Sequence, residues 1–149
     1  MNTNGILGGN IVEVKINITT KQYDEHSNVD TIKVNADGEL YNKNDDVYVV
    51  YKYSEEGQTT TSTLKISKDE VSIKQFGASN STMIFKEGNS NLTKYRTPQG
   101  LLIIETDTKK LVIDKNKENC IKINIEYDIK IMDMFQGRNE ISILIQNKE

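Results

Sequence analysis

The sequence predicts an all-β protein: a single antiparallel up-and-down β-barrel of the calycin or lipocalin type, with about 8–10 strands and little or no helix. Apolar and polar residues alternate with a period of two along most of the chain, as in strands with one buried and one solvated face. Turn-forming residues recur about every ten residues. The alternating segments are long, and residues 121–131 would span about 36 Å. Such length favours a closed barrel, which also leaves no free sheet edge.

Five strands are predicted in the first half of the chain, where valine, isoleucine or tyrosine fills alternate positions and short polar turns separate the segments. Asp37-Gly38 falls inside the second segment and predicts either a turn or a bulge in one bent strand. The fourth segment is QTTTSTLKI, whose β-branched threonines favour a strand. The five segments cover residues 11–20, 29–43, 47–53, 58–66 and 71–76.

Five more strands are predicted in the second half, separated by turns that contain Gly77, Gly88, Pro98 and Asn116–Asn119. The clearest is CIKINIEYDIKI, in which every second residue from Ile121 is apolar. These segments cover residues 82–85, 91–97, 101–113, 120–131 and 140–146. A chain of 149 residues is one domain by its length, so we expect a flexible segment at 1–10 and one barrel domain at 11–149.

Composition excludes several classes of protein. The net charge is −3 and the 19 cationic residues are scattered, which argues against nucleic-acid binding, since that depends on clustered Lys and Arg. The single cysteine, Cys120, cannot form an intramolecular disulfide. The N-terminal residues lack the pattern of a signal peptide, and no apolar run is long enough to cross a membrane. The sequence therefore predicts a cytoplasmic protein that contacts neither membrane nor nucleic acid.

Three motifs carry a resemblance to a known family. They are TTSTLKI at 60–66, MIF at 83–85 and YRTPQG at 95–100. With the segments around them, they make most of the chain, from about Ile11 to Ile145, resemble the YwiB-like family of small bacterial proteins, a family without an assigned function. The resemblance implies a calycin-like barrel and no catalytic residues. The chain has no tryptophan, so it lacks the Gly-x-Trp mark of true lipocalins.

Residues with reactive side chains do not form a catalytic pattern. His26 is the only histidine and follows Asp24 and Glu25 in a polar connection, whereas a catalytic zinc site needs three preorganised ligands. A nucleophilic Cys120 would need an activating base, and the one histidine leaves a single candidate for that role. Glu126 and Asp128 share a strand face with lysines, which indicates a solvated outer surface. We therefore expect no enzyme activity, no metal and no cofactor.

The barrel interior remains as the candidate site, because small barrels are either filled by side chains or hold one small ligand. If Leu64 and Ile66 point inward, period two also turns Thr60 and Ser62 inward. Aromatic and flexible walls are available from nearby strands. The scarce Arg96 could bind an anionic head group at the barrel rim, but we expect it to pair with a carboxylate on a neighbouring strand. The predicted ligand-binding residues are Tyr51, Tyr53, Thr60, Ser62, Met83, Phe85, Tyr95 and Arg96.

Two functions remain open from the sequence. The first is a binding module that holds a small amphipathic ligand in the interior, and an interior cavity above about 300 Å³ would support it. The second is a protein–protein interaction module with a filled barrel, which could act as a homodimer.

Overall fold

Ten antiparallel β-strands make up most of the computed structural model, which describes residues 10–78 and 80–148. The strands are β1 (Val12–Tyr23), β2 (Val29–Lys43), β3 (Asp46–Glu55), β4 (Gln58–Ile66), β5 (Glu70–Gly77), β6 (Ser81–Lys86), β7 (Ser90–Thr97), β8 (Gly100–Asp114), β9 (Cys120–Ile131) and β10 (Phe135–Asn147). The predicted all-β, antiparallel architecture is confirmed, and each predicted segment corresponds to one strand. Residues 1–9, most of the predicted flexible segment, lie outside the described residues.

The strands form one sheet in the order β6-β5-β4-β3-β2-β1-β10-β9-β8-β7. β1 pairs with β10, so the first and last of these strands lie side by side in the middle of the sheet. Its two outer strands, β6 and β7, are consecutive in the chain and meet at a bridge between Asn80 and Arg96. The result is a nearly closed barrel. Within the described residues no helix is present, and hence none long and apolar enough to cross a membrane.

One side of the barrel opens where β2 and β3 diverge. β3 pairs with β2 only along Gly38–Lys43, whereas β2 pairs with β1 from Val29 to Leu40. The predicted turn or bulge at Asp37-Gly38 is wrong, because the register with β1 runs through both residues without a shift. Glycine is needed here for space. A Cβ at Gly38 would lie 2.9 Å from the carbonyl oxygen of Val50, so the absence of a side chain allows β3 to pack closely against β2.

Apolar residues at alternate strand positions point inward and fill the barrel. Ile123 and Ile125 on β9 and Val14 and Ile16 on β1 are at most 1% exposed, while the residues between them face solvent. Phe85 is the largest of the side chains with no solvent exposure. This packed region stabilises the barrel through the burial of apolar surface.

The last strand begins at Phe135, five residues before the predicted start at Glu140. Its inward positions at this end are Gly137 and Asn139, which break the apolar alternation that predicts strands. Gly137 is required by space, since a Cβ there would collide with the carbonyl oxygen of Tyr23 and lie 2.9 Å from the Phe135 ring. Asn139 is 2% exposed and donates a hydrogen bond from Nδ2 to the Tyr127 hydroxyl at 3.0 Å. Both residues are therefore part of the barrel interior.

Candidate binding site at the barrel mouth

A cavity of about 200 Å³ lies at the end of the barrel where β2 and β3 diverge. Its walls come from β2, β3, β4, β5 and β7. Because β2 and β7 lie far apart in the sheet order, a cavity that contacts both must lie inside the barrel. We call it the mouth cavity; its lining residues are Val34, Tyr51, Tyr53, Glu55, Thr60, Ser62, Gln75 and Tyr95.

The threonine-rich strand β4 supplies the hydroxyl groups of this cavity. Ser62 is 2% exposed and lies in line with the buried Leu64 and Ile66. Ser62 pairs with Tyr51 and Thr60 pairs with Tyr53 across β3 and β4, so two hydroxyl side chains stand beside two tyrosines. Thr59 is exposed on the other face, where its hydroxyl lies 2.9 Å from that of Ser54. QTTTSTLKI is thus a strand with two residues facing the cavity.

The tyrosines of the cavity have different surroundings. Burial raises the pKa of Tyr51, and a hydrogen bond with Ser62 partly opposes this shift. Tyr53 donates a hydrogen bond to Oε2 of Glu55 at 3.1 Å, and this bond raises the pKa of Tyr53. Both groups are neutral phenols near neutral pH, able to donate and accept hydrogen bonds.

Five of the eight predicted binding residues line the mouth cavity: Tyr51, Tyr53, Thr60, Ser62 and Tyr95. Met83 instead packs against the core, and Phe85 is fully buried with its ring 4.8 Å from that of Tyr127. Three further residues of the lining, Val34, Glu55 and Gln75, were not predicted from the sequence. A signal for Gln75 existed, since it follows Val71 and Ile73 at period two in the predicted strand.

Arg96 lies on the outside of the barrel and does not line the mouth cavity. Its backbone N–H donates to the carbonyl of Asn80 at 3.0 Å, and its carbonyl accepts from the N–H of Asn80 at 3.1 Å. Among the residues described, no carboxylate forms an ion pair with its guanidinium. The expected pairing with a carboxylate on a neighbouring strand is therefore wrong, because Leu101 occupies the opposing position on β8.

Asp24 and Asp128, two of the residues considered for catalysis, form hydrogen bonds and an ion pair with neighbouring residues. Asp24 accepts hydrogen bonds from the backbone N–H groups of His26 and Asn28 at 2.8 and 2.9 Å, which orders the β1–β2 connection. The Asn28 hydrogen bonds hold the pKa of Asp24 below its ordinary value. Asp128 lies on the outer face 3.8 Å from Nζ of Lys109. Within residues 10–78 and 80–148, no three His, Cys, Asp or Glu side chains are grouped so as to hold a metal ion.

Alkaline pH is expected to weaken the fold through its buried tyrosines. Burial raises the pKa values of Tyr51 and Tyr127, so the unfolded chain loses these protons first, near pH 10. The free energy of unfolding should then fall as pH rises above about 10, by up to about 1.4 kcal/mol per pH unit for each tyrosine. Urea unfolding between pH 8 and pH 11 measures this slope. The double variant Tyr51→Phe/Tyr127→Phe should show a shallower slope, and equal slopes would contradict the assignment.

The strands and the mouth cavity define a small, nearly closed up-and-down β-barrel protein with a partly polar interior at one end. The chain belongs to the family described as "Domain of unknown function (DUF1934)", whose model matches residues 16–143. It is 28% identical over 120 residues to the uncharacterized β-barrel protein YwiB of Bacillus subtilis, a match that covers 80% of this chain and 84% of that protein. The crystal structure of the B. subtilis ywiB protein is similar in fold, with a TM-score of 0.84, 22% identity and 97% of each chain covered. The predicted family is confirmed.

Proposed function

We propose that this protein binds a small molecule in the mouth cavity. The observation that carries the proposal is the convergence of three tyrosines, Thr60 and Ser62 on one interior space. Concave sites with apolar and aromatic walls and a few placed polar groups are typical of small-molecule binding. The proposed role is binding, without a chemical step.

Cavity volume limits the size of the ligand. At about 200 Å³, the cavity is smaller than the roughly 300 Å³ given above as support for a binding module, which is also the lower end of the range for pockets that hold drug-sized molecules. A cavity of about 150 Å³ is nevertheless large enough for benzene. The proposed ligand is therefore a single substituted ring or a molecule of similar size, and a long acyl chain would not fit.

Charge limits the chemistry of the ligand. Among the residues that the structure describes, Glu55 is the only ionisable residue other than tyrosine in the lining, and no Lys or Arg lines the cavity. An anionic ligand would find no opposite charge there, whereas a cation could contact both the carboxylate and the faces of tyrosine rings. The proposed ligand is a neutral or cationic amphipathic molecule whose polar groups meet the hydroxyls of Thr60 and Ser62.

Native mass spectrometry of the protein purified gently from the organism that encodes it tests this proposal. We expect a retained small molecule on the wild-type chain and none on Thr60→Phe or Ser62→Phe, because either ring would fill the cavity. Thr61→Phe is the matched control, since Thr61 lies on the same strand with its side chain on the opposite face, and it should keep the ligand. Only bare protein in all four samples would count against the proposal.

An exposed strand edge favours a second candidate function, association of two copies. Val29–Asp37 of β2 pairs with β1 alone, and among its residues Val29 and Ile32 are 53% and 46% exposed. An unpaired edge of this length is a template for pairing with another chain. Size-exclusion chromatography with light scattering should show a dimer that Ile32→Lys dissociates and Ile11→Lys, at another exposed site, does not. A monomeric wild-type protein would exclude this candidate.

A further inference from the structure

A groove of about 600 Å³ follows the outside of the seam between β6 and β7. Three apolar side chains on its walls are largely open to solvent: Phe76 is 71% exposed, Leu92 73% and Leu101 44%. Single exposed apolar residues are common on protein surfaces, but a cluster around one depression is typical of an interaction site. We call this depression the seam groove; it is lined by Lys74, Gln75, Phe76, Asn80, Ser81, Thr82, Ile84, Leu92, Thr93, Lys94, Arg96 and Leu101.

The seam groove is positively charged. Lys74, Lys94 and Arg96 line it, and none of its lining residues within 10–78 and 80–148 is a carboxylate. In the part of the chain that the structure describes, none of these three cations forms an ion pair. The whole chain carries a net charge of −3, so the groove is a local basic site on an acidic protein. Its charge is complementary to an acidic partner.

Backbone pairing is incomplete along the same seam. The bridge between Asn80 and Arg96 would be followed, in a regular antiparallel hairpin, by Thr82 opposite Lys94 and Ile84 opposite Leu92. No ladder forms at these positions among the described residues.

Side chains join the two strands there instead. Thr93 Oγ1 donates to the carbonyl of Thr82 at 2.9 Å, and Asn91 Nδ2 donates to the carbonyl of Ile84 at 3.3 Å. These bonds occupy carbonyl groups of β6 and leave the seam-facing N–H groups of the two strands without a ladder. An extended chain brings its own row of carbonyl acceptors, which match N–H groups of this kind.

We propose that the seam groove binds an extended acidic peptide segment of a partner protein. Apolar and cationic positions adjoin one another, since Leu101 lies opposite Arg96 on the paired strands β7 and β8. A segment that mixes Asp or Glu with large apolar residues would match both. A nucleic acid is a poorer match, because three cations are few for tracking phosphates and the acidic remainder of the protein repels a polyanion. The seam groove shares Gln75 with the mouth cavity, but the cations and the exposed apolar residues that carry this proposal do not line that cavity.

Selection from a library of displayed random 12-residue peptides tests the proposal. The target is the wild-type chain, with counter-selection on the triple variant Lys74→Glu/Lys94→Glu/Arg96→Glu. We expect enriched peptides that are net negative and contain large apolar residues. Fluorescence anisotropy of the most enriched peptide should show about tenfold or greater weakening on the triple variant, and weaker binding at higher salt.

Control variants distinguish the loss of the charges in the seam groove from a general change in the charge or stability of the protein. Lys15→Glu/Lys21→Glu/Lys122→Glu reverses three exposed lysines on β1 and β9, outside the groove lining, and should retain the peptide. Leu92→Ser should weaken binding without changing the net charge. The proposal would be overturned by a lack of enrichment, by peptides without acidic residues, or by equal binding to the triple variant. Tighter binding of a thymidine decamer than of any selected peptide, or self-association that the triple variant abolishes, would also overturn it.

Discussion

Replacing Phe85 with alanine is expected to lower the free energy of unfolding by about 3–5 kcal/mol. The side chain has no solvent exposure, and its ring lies 4.8 Å from that of Tyr127 at an interplanar angle of 51°. Removal of the ring loses both its apolar burial and its contacts, and a barrel wall held by strand pairing can collapse only partly around the cavity left behind. Chemical denaturation monitored by circular dichroism measures the change.

Phe76→Ala is the control for this prediction. It removes the same ring from the same sheet, but Phe76 is 71% exposed, so the change in unfolding free energy should stay within about 0.5 kcal/mol. Similar losses for the two variants would show that Phe85 does not fill a packed interior. The comparison therefore tests which side of the barrel wall each ring occupies.

Gly137→Ala is expected to destabilise the protein by about 1–3 kcal/mol, although alanine is otherwise the less costly residue in a strand. The added Cβ would meet the carbonyl oxygen of Tyr23 and the ring of Phe135. The Phe135 ring can turn aside, but the carbonyl belongs to the β1 backbone, which pairs with both neighbouring strands. Thermal and urea unfolding measure the loss.

Gln136→Ala provides the comparison on the neighbouring residue, whose side chain is exposed. It should leave the unfolding free energy nearly unchanged. If Gly137→Ala were as stable as the wild-type chain, β1 and β10 could not approach each other as closely as the structure shows.

The fold is predictable from the sequence because alternation reports directly which side chains are buried in a strand. Residues 120–131 were predicted with the bounds that β9 has, since every inward position from Ile121 to Ile131 is apolar. The start of β10 was missed because its first inward positions hold Gly137 and Asn139. Neither residue type indicates a buried strand. Gly137 is required because the Tyr23 carbonyl on β1 leaves no room for a Cβ, and Asn139 is buried with a hydrogen bond to the Tyr127 hydroxyl on β9.

The site is only partly predictable, because alternation fixes the face of a residue but not its depth along the barrel axis. Phe85 points inward as predicted, yet it lies in the packed core and does not reach the mouth cavity. Val34 and Glu55 enter the lining because β2 and β3 diverge beyond Gly38, which no local pattern indicates. The position of Arg96 outside the barrel was predictable, since an inward Tyr95 turns the next residue of the strand outward.

NMR titration of the isotope-labelled protein with a library of small neutral, cationic and anionic ring compounds tests the central claim, that the mouth cavity is a binding site, most directly. We predict that neutral or cationic compounds shift the amide signals of Tyr51, Thr60, Ser62 and Tyr95, and that Ser62→Phe removes these shifts while Thr61→Phe keeps them. Compounds that shift only signals elsewhere, or none at all, would contradict the claim.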